Sequence, residues 1–229
     1  MLSYFQGLSL FFSSSYFSYY MDWFHNFNYS LLLGILIFVS LLFFFLINNS
    51  NYFKGKKIEY QFGELMCSLM PTFILILQMI PSLSLLYYYG LMSIDSSLTI
   101  KVIGHQWYWS YDYSDFKEVE FDSYMKSIDS LILGESRLLD VDNRCILPVN
   151  LSTRFCVTSQ DVIHAWALSS LSVKLDAMSG VLSILNYNFP VVGIYYGQCS
   201  EICGANHSFM PVVLEVTLFN LFKNWIFLN

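Results

Sequence analysis

The chain has 229 residues and a formal net charge of −6, and 55% of its residues are hydrophobic against 12% charged. Soluble globular chains carry roughly 45–50% apolar and about 25% charged residues, so an ordinary soluble protein is excluded and membrane-embedded length is indicated, with room for one further domain. Residues 1–94 hold three acids and three bases, whereas residues 95–229 hold fourteen acids and eight bases; an acidic second part disfavours nucleic acid and favours a basic protein partner.

No Lys or Arg precedes Lys54, so neither a basic signal-peptide start nor an Arg-rich transit peptide is expected. From Leu31 to Ile47 only Gly34 and Ser40 interrupt the apolar run. A helix of about 20 such residues crosses the hydrocarbon core, which predicts a first span near 26–48. Thirty uncharged residues between Glu64 and Asp95, with Pro71 and Pro81 inside them, predict a second span near 65–89, because membrane helices tolerate proline. Tyr87, Tyr88 and Tyr89 fit an interfacial aromatic belt. The loop 49–64 closes a helical hairpin, and its Lys54, Lys56 and Lys57 belong on the cytoplasmic or matrix face. Both termini then face outward. Glu64 falls at the matrix end of the second span, where a carboxylate reads first as a solvated flank.

Past Asp95 the pattern changes to short β-type runs at Ser97–Ile103, Arg137–Val141, Thr153–Thr158, Val191–Tyr196 and Val212–Leu218, each bounded by turn residues. Several such runs predict an all-β sandwich or barrel with Greek-key connections, and residues 219–229 allow a terminal helix. His105–Tyr113 alternates as one strand, with His105, Trp107, Trp109, Tyr111 and Tyr113 on one face. Beyond it Asp112, Asp115, Glu118, Glu120 and Asp122 are five acids within eleven residues, offset only by Lys117. Each alone reads as a solvated loop residue; as a cluster they can steer a basic carrier.

The densest chemistry lies in GQCSEICGANHSFMP, residues 197–211. Its twelve residues from Cys199 to Met210 offer two thiols, an imidazole and a thioether, a set that suits copper far better than magnesium or calcium. A blue-type copper site needs one thiolate, two imidazoles and a weak Met bond. The second thiolate is surplus to that, and argues for two coppers sharing Cys199 and Cys203, with His207 as a cap and Met210 completing a shell. Another imidazole must come from elsewhere, and His164 in SQDVIHAW is better placed than His25 or His105. The Cys pair alone reads equally as a disulfide, and Cys-Cys-His-His can hold zinc, which has little use for a thioether. Glu201 turns its side chain away from the flanking sulfurs, leaving its backbone carbonyl to reach a metal. Cys67, Cys145 and Cys156 match no ligand spacing and read as packed thiols.

These runs, together with GHQWYWSYDYSD and FDSYM, resemble subunit 2 of the cytochrome c oxidases, the haem-copper terminal oxidases of respiration, over nearly the whole chain from Met21 onward. The resemblance implies a transmembrane hairpin of two helices followed by a cupredoxin-like domain, in the mitochondrial inner membrane with both termini on the intermembrane-space side. It implies a dinuclear copper centre on His164, Cys199, the backbone carbonyl of Glu201, Cys203, His207 and Met210. A magnesium ion would be shared with subunit 1 through the Glu201 side chain. Electrons would enter from cytochrome c at Trp107, docked through the acidic cluster, and pass to haem in subunit 1 for dioxygen reduction coupled to proton pumping. Glu64 would stand at the mouth of a proton path. Nothing on this chain alone could cleave dioxygen. Quinol oxidase subunit 2 lacks the copper ligands, nitrous oxide reductase carries its copper pair on a soluble domain, and an anchored copper chaperone would need neither His207 nor Met210. The chain departs from the family pattern at Ser179, where Pro is common, and at Asp112, where Glu is usual, and residues 1–20 match poorly.

Overall fold

The computed structural model describes residues 13–49, 59–91, 95–116 and 119–228. Lys54, Lys56 and Lys57, on which the expected sidedness rests, lie outside the described residues, as do Lys117 and Glu118 of the acidic run. The chain divides into two compact units: residues 20–90, and a second that joins the residues before Tyr20 to those from Leu91 onward.

Two long helices, α1 (Tyr16–Asn48) and α2 (Gln61–Gly90), supply the first unit. The most apolar 18 residues of each have mean hydropathies of 3.0 and 1.9, with none of them buried within the protein. That is the condition of a helix whose apolar surface is to be covered by lipid. α1 begins at Tyr16 rather than near residue 26; the apolar run marks what lipid accepts, and the helix continues past it through Asp22 and His25. Pro71 and Pro81 lie inside α2 and return no N–H to the carbonyls four residues earlier. Hydroxyls of Thr72 and Ser84 donate to the nearby Ser68 and Ile80 carbonyls at 2.8 and 2.9 Å.

The second unit is built from strands β1 (Leu98–His105), β2 (Tyr108–Asp112), β3 (Glu120–Ser123), β4 (Cys145–Pro148), β5 (Ser152–Ser159), β6 (His164–Leu168), β7 (Val173–Ala177), β8 (Ser183–Asn188), β9 (Gly193–Gln198) and β10 (Pro211–Thr217), closed by helix α3 (Phe219–Leu228). One sheet runs β3-β2-β1-β5-β8, a second β4-β10-β9, and β6 pairs with β7. β1 with β5 and β4 with β10 are parallel neighbours far apart in sequence, so the chain crosses between layers to reach them. Aromatic rings lock the layers together: Phe155 of β5 meets Trp166 of β6 at 4.8 Å, and Trp166 Nε1 donates to the Tyr111 hydroxyl at 3.4 Å. The stretch before Tyr20 is tied to this unit, with Phe17 and Ser18 buried and Ser18 Oγ donating to the Ser170 carbonyl at 2.9 Å.

Three local expectations change. His105–Tyr113 is a hairpin, not one strand: β1 and β2 pair antiparallel with His105 opposite Tyr108. Trp109, Tyr111 and Tyr113 share a buried face as the alternation requires, but Trp107 sits in the turn, partly exposed. Arg137–Val141 is a turn ending in a single bridge from Val141 to Met125; Asp140 turns inward to Arg144, 3.0 Å away, and Leu138 takes a φ of 67° that no strand holds. Cys145 and Cys156 are buried as packed thiols, whereas Cys67 is exposed on α2.

β9 passes so close to β6 that a Cβ on Gly197 would lie 1.9 Å from the Ala167 carbonyl oxygen. Gly197→Ala must push the layers apart beneath the donor-rich loop. The expected destabilisation is at least about 1–3 kcal/mol, read as a lower thermal unfolding midpoint of the β unit; an unchanged midpoint would show that this close approach is not required.

Candidate metal centre

β9 and β10 form an antiparallel pair with Gln198 opposite Pro211. The donor-rich loop therefore leaves and re-enters the sheet at adjacent positions, which brings Cys199 and Met210 to its neck. The loop is stitched sideways to β6 by Ser200 N–H donating to the Ala165 carbonyl at 3.1 Å, and His164 is the first residue of that strand. Gly204 takes a φ of +121° and turns the loop back, where a side chain would meet Gln106 and Trp107 at 3.2 Å; only glycine adopts that conformation without strain.

The donors converge. The Cys199 and Cys203 sulfurs are 3.9 Å apart, Cys203 Sγ is 3.4 Å from His207 Nδ1 and 3.5 Å from Met210 Sδ, and Cys199 Sγ–H donates to the Glu201 carbonyl at 3.3 Å. A ring nitrogen of His164 and both sulfurs lie within 4.8 Å of one another. His164, Cys199, Cys203 and Met210 are all buried. A disulfide holds its sulfurs at about 2.05 Å, so the 3.9 Å separation identifies two free thiols. His164 Nε2 donates to Asp161 Oδ1 at 2.8 Å, while its Nδ1 is buried and makes no hydrogen bond among the described residues.

A buried imidazole nitrogen without a hydrogen-bond partner, beside two unbonded sulfurs and a thioether, is the donor chemistry that copper selects. Carboxylate–imidazole–metal is also the usual way a ligand ring is oriented. The residues fit a copper-type group held by His164, Cys199, Cys203, His207 and Met210, with the Glu201 carbonyl in reach.

The thiols respond to this cage in opposite senses. Burial raises the Cys199 thiol, but the nearby His164 imidazole and the Ala165 and Glu201 backbone outweigh it and bring it down to about 7. Burial and the adjoining Cys199 thiolate push Cys203 up to about 12. Burial disfavours the His164 cation, yet Cys199 and Asp161 overcome that and raise it. Burial also opposes the Asp161 carboxylate, which hydrogen bonds from His164, Gln106 N–H and Val162 N–H hold below its ordinary value.

Trp107 Nε1 donates to the Cys203 carbonyl at 3.3 Å, and Gln106 Nε2 donates to the same oxygen at 2.8 Å. The indole expected at the entry point is thus one hydrogen bond from Cys203, a candidate ligand. Beside the turn His105 stacks on Tyr108 at 4.5 Å and Tyr108 on Tyr124 at 4.4 Å. Sequence reasoning missed Asp161 and Gln106 as working parts of the site, although Asp161 three residues before His164 is a readable signal. It also missed Trp109, which donates to the Met210 carbonyl at 3.4 Å and sets its ring edge-on to His164 at 5.9 Å.

The acids are arranged along the β2–β3 edge. Asp112 pairs with Lys101 at 2.8 Å, Asp115 accepts from Thr99 N–H at 2.6 Å, Asp122 accepts from Ser110 Oγ at 2.6 Å, and Glu120 is exposed opposite Asp112. Asp112 lies five positions beyond Trp107, about 16 Å along a strand, so the cluster leads away from the turn and does not surround it. Glu201 is half exposed, with Lys174 Nζ 3.9 Å from its carboxylate. Glu64 is exposed in the first turn of α2.

The family model described as cytochrome c oxidase subunit II, periplasmic domain, matches residues 98–217, the span that holds every donor named above. The chain is 69% identical over 227 residues to cytochrome c oxidase subunit 2 of Caenorhabditis elegans, covering 99% of this chain and 98% of that one. The chain belongs to the cytochrome c oxidase subunit 2 family. The Ascaris suum subunit 2 is equally similar, 69% identical over 225 residues, 98% of this chain and 97% of its own. Among solved structures, the periplasmic domain of subunit II from Bradyrhizobium japonicum superposes with a TM-score of 0.56 at 44% identity, over 60% of this chain and 96% of that one. Subunit 2 proteins are copper-binding subunits of a haem-copper oxidase, so further oxidase subunits are this chain's partners, and its β unit has the cupredoxin-like fold of that domain.

In metal-free subunit 2, ultraviolet thiolate absorbance should show one thiol of the cage ionising below the ordinary cysteine range and its neighbour only above it. His164→Ala removes the partner that lowers the first and should move it upward. Two thiols ionising together in their ordinary range would contradict the geometry.

Proposed function

We propose that this subunit 2 holds a dinuclear copper centre on His164, Cys199, Cys203, His207, Met210 and the Glu201 carbonyl, and uses it to take electrons from cytochrome c on behalf of the oxidase. The observation that carries this is the convergence of two unbonded sulfurs 3.9 Å apart with a buried, uncommitted imidazole nitrogen and a thioether. The metal would supply one-electron redox chemistry. The protein's part is to fix the donors, exclude water from the sulfurs and present a route to the surface.

Each part has a physical source. The sheet neck and the Ser200 stitch hold the loop whether or not an electron is present, so little rearrangement accompanies transfer. Burial of the sulfurs and the hydrogen bonds of the surrounding shell are the means by which a protein sets a copper potential. Trp107, partly exposed and bonded to the Cys203 carbonyl, joins the surface to that shell. The half-exposed Glu201 carboxylate offers hard oxygen donors of the kind magnesium prefers, and the reading assigns it to a magnesium ion shared with subunit 1. From the centre the electron would pass to haem in subunit 1, with dioxygen reduced there. The two apolar helices and the family likeness support placement in the mitochondrial inner membrane, with the β unit on the intermembrane-space side.

Cytochrome c is the proposed donor because the second part of the chain is acidic. A docking patch of about 800 Å² per partner is wide enough to cover both Trp107 and the β2–β3 acids.

Trp107→Ala should leave the copper spectrum intact while slowing its reduction by cytochrome c. In the unsubstituted oxidase, raising salt from about 0.01 to 0.15 M shortens the Debye length from roughly 30 to 8 Å and should lower the association rate at least about tenfold. An unchanged rate in the variant removes Trp107 from the route, and a flat salt profile removes electrostatic steering.

A further inference from the structure

We propose that Asp161 is a positioning residue that locks the entry turn and the metal cage to each other, orienting Trp107 and His164 with one carboxylate. This rests on the reading of a copper centre fed through Trp107.

Both carboxylate oxygens are engaged, and on different partners. Oδ1 accepts from His164 Nε2 at 2.8 Å and from Val162 N–H at 2.6 Å. Oδ2 accepts from Gln106 N–H at 2.7 Å. Gln106 then returns to the cage through its side chain, donating to the Cys203 carbonyl that also receives the Trp107 indole. The connections run from His164 to Asp161, from Asp161 to the turn and from the turn to Cys203, whose sulfur lies within 4.8 Å of a His164 ring nitrogen, so that a bound metal would close them into a ring.

Each bond of the ring has a consequence. The bond at Nε2 fixes the His164 tautomer so that Nδ1 is left for metal. The bond at Gln106 N–H holds a two-residue turn whose strands end at His105 and Tyr108. Room for the imidazole comes from Gly104 on β1, where an added Cβ would sit 2.9 Å from His164 Cδ2. The loop that carries Asp161 is itself fastened to the same place, by Gln160 N–H donating to the Gly104 carbonyl at 3.1 Å. A displacement of Asp161 is therefore a displacement of both the entry turn and a ligand ring.

Asparagine has the shape of aspartate but only one acceptor oxygen, so Asp161→Asn must give up either His164 or the turn. The residual bond would be a weaker one, since the charge that shortens and strengthens these contacts is gone. Gln106→Ala cuts the ring at a different point, releasing the side-chain bond to Cys203 while leaving Asp161 on His164.

The test compares the two variants in the purified oxidase by copper content, electron paramagnetic resonance and the rate of copper reduction at saturating cytochrome c. Asp161→Asn should weaken copper retention about 10–100-fold, alter the copper spectrum and slow entry at saturation. Gln106→Ala should slow entry at saturation with the copper spectrum unaltered. Two outcomes overturn the proposal. If Asp161→Asn raises only the cytochrome c concentration needed, with spectrum and saturating rate unchanged, Asp161 is one more docking charge. If Gln106→Ala leaves entry at full rate, the turn is not held through this ring, and that holds even should the Asp161 variant not assemble. Failure of the copper-centre reading itself would show separately, as no copper pair in the unsubstituted protein.

Discussion

The antiparallel pairing of β9 with β10 is the constraint on which the site depends. Cys199 and Met210 are eleven positions apart in sequence, and they are held at one end of the sheet because Gln198 and Pro211, one residue outside each, are partners in the ladder. Without that neck the donors would be a flexible string, and ordering them would cost the entropy of the whole loop at each binding event. With it, the cost is met once, on folding, by burial of β10, where Val212, Val213, Leu214 and Val216 are inaccessible to water. The remote candidate ligand His164 arrives by the same logic, since β6 packs under β9 at the glycine contact of Gly197 with Ala167.

How much of this the sequence reveals depends on whether the information is local. Most donors sit in one stretch, and their chemistry can be read without coordinates; His164 could be matched to them because few imidazoles compete. The two membrane-competent helices are legible for the same reason, since apolarity over some twenty residues is a local property. The hairpin at His105–Tyr108 is not legible. Its turn carries no Gly, Pro, Asn or Asp, the residues that mark tight turns, and it is held by Asp161 and the Cys203 carbonyl, which lie far along the chain. β6 is equally hidden: all five of its residues are buried, so it lacks the alternation by which a half-exposed strand is recognised. In Arg137–Val141 the pattern misleads, because it cannot show that Asp140 is drawn inside by Arg144.

Placement of the charges follows the same division. Acids close together in sequence look like a patch around the neighbouring tryptophan. The antiparallel strands draw them into a line along one edge, with Asp112, Asp115 and Asp122 each serving the sheet through a hydrogen bond or ion pair. The acid in contact with the His105–Tyr108 turn is Asp161, from another part of the chain.

The proposed function turns on two sulfurs from one loop binding two metal ions as a single redox unit. The decisive measurement is copper quantification on the purified subunit, paired with its electron paramagnetic resonance spectrum in the oxidised state. Two coppers per chain are expected, with a spectrum in which one unpaired electron is shared by both nuclei. A single copper per chain, or a spectrum in which the unpaired electron resides on one nucleus, would contradict a shared centre.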